Sequence, residues 1–131
     1  MLYLTGLRDD YQSDGHVITQ ALSRAPGALA ATADLARGYA QINSSVGQFA
    51  TDTLIADTKA LASGSGSDDS AYRAEQRALL QLADDRDRAA ARIKQTLANA
   101  AAGHVPNHGE IQSGLAHVRE LLKRARTLAS R

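Results

Sequence analysis

Apolar residues step four, three, four, three along two long stretches of this chain. One stripe runs Leu35, Tyr39, Ile42, Val46, Phe49, Thr53, Ala56, Ala60, and the other runs Tyr72, Gln76, Leu79, Ala83, Arg86, Ala90, Ile93, Leu97. A repeat of this period keeps one face of a helix turned toward a partner over many turns, so it specifies packed helices before it specifies any chemistry. Alanine is the commonest residue and aromatics make up only 4%. A core built from such side chains is thin and requires close helix approach, and the same composition disfavours strands.

The punctuation of the chain predicts four helices. The first spans about Leu4 to Arg24, with Leu4, Leu7, Tyr11, Ile18, Ala21 and Ala25 on one face. Gly15 weakens it by up to about 1 kcal/mol relative to alanine. It ends at Ala25-Pro26-Gly27, because proline pushes the preceding residue out of the helical region and suits the first turn of a new helix. The second helix spans about Pro26 to Ala62, and Ser63 to Asp68 forms a flexible tip. The third runs from Asp69 to about Ala102 and stops at Gly103, a left-handed C-terminal position. Asn107 caps the fourth, His108 to Ser130, with Glu110 three residues on as a capping box requires and Ile111, Leu115, Val118, Leu122, Ala125 and Ala129 along its seam.

Short connections at Pro26 and Pro106 make sequential helices antiparallel neighbours. The expected fold is therefore all-α: an antiparallel up-and-down four-helix bundle. At about 1.5 Å per residue the second and third helices reach about 50 Å and the outer two about 32 to 35 Å. The long hairpin should then protrude, leaving one end with two helices. Leu54, Ile55, Leu80 and Leu82 lie in that end and form the candidate interaction surface, to be covered by a protein partner, an upstream domain or a second copy. The alternative is that the first helix tilts and shields them.

Chemistry is sparse by comparison. His104 and His108 are spaced for a metal on a helix, but Pro106 breaks the helix between them and no further ligand joins. His16 and His117 have no acidic or nucleophilic partner at motif spacing. Asp84-Asp85-Arg86-Asp87-Arg88 fans around a helix into local ion pairs. Arg86 stands apart because it occupies a seam position, where its stem can pack while its guanidinium finds a polar partner. The basic cluster Arg119, Lys123, Arg124, Arg126 and Arg131 suits the carboxyl end of a helix dipole and lacks the interleaved aromatics of a nucleic-acid site. With 15 Lys plus Arg against 14 Asp plus Glu there is no global field to recruit a polyanion. Gly64 and Gly66 lack the strand and lysine of a phosphate loop. The reading is of a non-enzyme with no catalytic residue, metal or cofactor, no nucleic-acid partner and no membrane span.

The run from Leu79 to Leu97, with its Asp84–Arg88 charge cluster, followed by Glu120-Leu121-Leu122-Lys123-Arg124-Ala125-Arg126-Thr127-Leu128-Ala129, resembles the C-terminal helical tail of large bacterial phosphoesterases of the alkaline phosphatase and phospholipase C type. The resemblance covers the last third to half of the chain. It implies an exported, non-catalytic appendage whose phosphoryl chemistry sits in another domain, and it carries over no functional residue. The start at Leu2-Tyr3-Leu4 has helical spacing already under way and no signal-peptide pattern, as expected of a trimmed domain. The second expectation is a self-contained helical adaptor or secretion chaperone that binds a partner helix.

Overall fold

A computed structural model describes residues 32–63 and 69–131. The expected first helix, its break at Pro26-Gly27 and most of the expected tip lie outside the described residues. Four helices account for the rest: α1 Ala33–Asn43, α2 Gln48–Ser63, α3 Asp69–Ala101 and α4 His108–Ala129. Among the described residues there is no strand.

The helix expected from Pro26 to Ala62 is not continuous. It breaks at residues 44–47, between α1 and α2. Asn43, Ser44, Ser45, Val46 and Gly47 are five poor helix formers in succession, and the serines offer the backbone competing bonds. Ser44 turns extended, at φ −79 and ψ 142. Its carbonyl accepts from Gly47 N at 3.0 Å, and its hydroxyl accepts from Val46 N at 3.2 Å. The turn closes so tightly that a Cβ on Gly47 would stand 2.5 Å from the Gln41 carbonyl oxygen, which explains why glycine occupies the position. Val46, expected in the seam, is 86% exposed on this turn.

The break resets the register between columns. Leu35 and Ile93 both pack around Gly114, while the Arg86 guanidinium lies over the Phe49 ring. Phe49, which the seam spacing would let face Ile93, Leu97 or the shorter helices, lies beneath the Arg86 guanidinium.

Helices α3 and α4 run antiparallel, with Ile93 beside Gly114 at one end and Arg124 on Asp85 further along. The α1–α2 column lies in the groove between them and runs in the same sense as α4: Leu35 meets Gly114, and Lys59 Nζ donates to the Ala129 carbonyl at 2.6 Å. The described residues thus form three packed columns. Because α4 follows α2 as far as Lys59, the expected two-helix protrusion is largely covered by the third column.

The core consists of Leu35, Ile42 and Phe49 from α1–α2, Leu82 and Ile93 from α3, and Val118, Leu121 and Leu128 from α4, with Ala56, Ala89, Ala90 and Ala125 between them. Alanine permits the close approach expected from composition. Glycine extends it: a Cβ on Gly38 would already touch Val118 at 3.3 Å. On α3 burial centres on Leu82, Ala89, Ile93 and Ala100 rather than on the drawn seam; Gln76 is exposed and Leu79, Ala83 and Leu97 are half-buried. A helix wedged between two columns buries a broader stripe than one facing a single partner.

Local signals held at the α3–α4 connection. Gly103 has φ +93 just past the end of α3. Asn107 accepts from Glu110 N at 2.8 Å and its own N–H donates to Glu110 Oε2 at 3.2 Å, completing the capping box.

Candidate interaction surface

The four residues of the expected surface do not share one face. Successive helical residues diverge by about 100°, so Leu54 and Ile55 point in different directions and Leu80 and Leu82 point nearly opposite ways. Leu82 is 0% exposed: it is a core residue and leaves the surface. Leu54 and Leu80 are each 67% exposed, on the sides of α2 and α3 turned away from Ala56 and Leu82, and Ile55 is also exposed, at 42%. Leu61, two turns beyond Leu54, continues its stripe and is also exposed. Between them the Thr58 hydroxyl donates to the Leu54 carbonyl at 2.7 Å, so it makes no demand on solvent. The spacing of Leu54 and Leu61 could have disclosed this stripe, since neither belongs to the seam frame.

A groove of about 560 Å³ opens between α3 and the amino-terminal half of α4. Leu35, Ile93 and Gly114 close its floor, and Arg92, Ser113 and His117 stand on its rim. Two of its polar side chains are committed locally. His117 Nδ1 donates to the Ser113 carbonyl at 2.7 Å, and Glu110 belongs to the capping box. No nucleophile is held against a base here.

The charge run on α3 resolves into two different environments. Asp85 accepts from Arg124 Nη1 at 2.7 Å across the α3–α4 seam and from Arg88 Nη2 at 2.6 Å along its own helix. These two hydrogen bonds, first that of Arg124, hold the Asp85 carboxyl below its ordinary value of 3.8, and Asp85 in turn raises the Arg88 guanidinium. Arg86 turns inward, with its Cζ 5.5 Å from the Phe49 ring centroid. Of the basic cluster, Arg124 is the member tied into this network; Arg119, Lys123, Arg126 and Arg131 are exposed. Tyr39, half-buried against the core, has its hydroxyl pKa raised by burial, against the opposing effect of a hydrogen bond with Asn43.

His104 and His108 are both exposed. Among the described residues no group of three or more His, Cys, Asp and Glu could hold a metal ion, and no helix is long and apolar enough to cross a membrane. No family model, curated protein or solved structure matches this chain.

Proposed function

We propose that this chain is a non-catalytic helical module that docks an amphipathic helix of a partner protein, and that it serves as a C-terminal appendage of a larger exported bacterial protein. The observation carrying the reading is the exposed pair Leu54 and Leu61 on one face of α2, with Leu80 exposed on α3. Helix-spaced anchors of this kind suit a helical partner, and each leucine offers about 1.5–3 kcal/mol on full burial. The resemblance of the last third to half of the chain to phosphoesterase tails supports the appendage. In this reading the chain as a whole is the antiparallel up-and-down four-helix bundle expected from its sequence. The second reading is a self-contained adaptor or secretion chaperone. The same stripe favours it equally, and the coding sequence upstream distinguishes the two: an appendage follows a catalytic domain in frame.

The test is the double variant Leu54→Glu, Leu80→Glu. Helicity and melting should be nearly unchanged, while binding of the partner, or self-association in sedimentation, is lost. Unfolding of the variant would place these side chains in the core and overturn the reading. The purified chain should also hydrolyse no phosphate ester; metal-dependent turnover abolished by changing His104 and His108 together would contradict it.

A further inference from the structure

The bend at residues 44–47 separates two helices whose apolar spacing does not stop there. Leu35, Ile42, Phe49 and Ala56 are buried at heptad spacing on either side of it, and Val46 takes the seam position between Ile42 and Phe49 yet is 86% exposed. Local hydrogen bonds hold the bend. The Ser44 carbonyl accepts from Gly47 N at 3.0 Å, its hydroxyl accepts from Val46 N at 3.2 Å, and Gln41 Oε1 accepts from Gln48 N at 3.3 Å. At the buried Gly47 there is no room for a side chain: a Cβ would stand 2.5 Å from the Gln41 carbonyl oxygen and 2.9 Å from that of Ala40. The bent state therefore depends on glycine, whereas a continuous helix accepts a Cβ at every position and would return Val46 to the seam.

A continuous helix does not fit within one molecule. Gly38 lies against Val118, and Lys59 Nζ reaches the Ala129 carbonyl at 2.6 Å. On α4 about 17 Å of helix separates Val118 from Ala129, whereas an unbroken helix from Gly38 to Lys59 would measure about 32 Å. Lysine's side chain is too short to absorb the difference. Straightening thus lifts α1 off its own α4 and bares Leu35 and Ile42, each 1% exposed in the bent state. A second copy that straightens vacates an identical site. We propose that residues 44–47 are a hinge with two states, bent in the monomer and straight in a dimer in which α1 of each copy packs on α3 and α4 of the other. Exchange restores every contact that α1 makes in the monomer and adds the helix through Val46. It stands apart from the Leu54 and Leu61 stripe, which takes no part in it.

Refolding the full chain from urea at high protein concentration, read by sedimentation, tests the hinge. The parent should yield monomer and a dimer fraction that grows with concentration. Gly47→Ala crowds the bend and favours the helix; at about fivefold per copy for alanine over glycine, the dimer constant should rise about 25-fold or more. Ser45→Pro should abolish the dimer, because Ser44 already holds the extended dihedrals that a following proline demands, while a helix through residue 45 rejects one. In a Gly47→Ala dimer mixed from isotope-labelled and unlabelled copies, NOEs between Gly38 and Val118 should pass from one copy to the other. Should Gly47→Ala fail to fold, Ser44→Ala with Ser45→Ala raises helix propensity without adding an atom against the Gln41 carbonyl, and the same readings apply. A folded variant of either kind that stays monomeric would overturn the hinge. A dimer that keeps the Gly38–Val118 NOEs within each copy, or that survives Ser45→Pro, would overturn the exchange and point to docking through another face.

Discussion

Leu35 and Gly114 pack so closely that a Cβ on residue 114 would stand 2.6 Å from Leu35 Cδ1. Leu35 is 1% exposed, and the same Cβ would lie 3.7 Å from Ile93 Cγ1, so the position is crowded from two sides. The contact joins all three columns at one end of the bundle. Gly114→Ala should gain up to about 1 kcal/mol in helix propensity and lose about 1–3 kcal/mol by overpacking, for a net loss of roughly 1 kcal/mol. Making the change on a Leu35→Val background, which removes the clashing branch, should turn the loss into a gain. Urea unfolding of the four proteins checks this; an equal loss in both backgrounds would show that the contact is slack.

Phe49 is the sole phenylalanine and is 4% exposed. Phe49→Ala should cost about 3–5 kcal/mol, combining lost transfer energy with the cavity left behind. Phe49→Leu should cost less through volume, yet it also removes the ring beneath Arg86. Its spectrum should therefore report a displaced Arg86 side chain. A loss below about 1 kcal/mol for the alanine variant would show that the break at 44–47 turns Phe49 out of the core.

Acid should weaken the α3–α4 seam through Asp85. Its carboxyl pKa is lower folded than unfolded, so its contribution is fully present above the ordinary value of 3.8 and is lost as pH falls through the lower folded value. Asp85→Asn should therefore be less stable than the parent at neutral pH and converge on it in acid below pH 3.8. The same should hold, more weakly, for Arg124→Gln, which removes the cross-seam donor and leaves Arg88. A gap between parent and Asp85→Asn that stays constant down to strong acid would contradict the assignment.

Much of the fold was legible because its determinants are local. Asn107 and Glu110 form their capping box from two side chains and two N–H groups within one turn, and Gly103 takes its positive φ from the absence of a Cβ. The break at Ser44–Gly47 was equally local and equally visible in five poor helix formers, but the heptad spacing from Ile42 to Phe49 runs through it uninterrupted and concealed it. On the surface, the seven-residue spacing of Leu54 and Leu61 could have marked an exposed stripe, whereas the grouping of Leu80 with Leu82 ignored the angle between them.

What the sequence determined by itself was the helical state of each described segment, its caps and the small-residue chemistry of its seams, all of which depend on neighbours within a few residues. Only the tertiary structure decided that Leu82 is core, that α4 reaches Lys59, and that Phe49 meets Arg86 while Asp52 is buried. Those outcomes depend on how far the turn at 44–47 shifts one column against another. An alanine-rich seam carries too little shape to announce that shift in advance, because small side chains pack nearly as well in neighbouring registers.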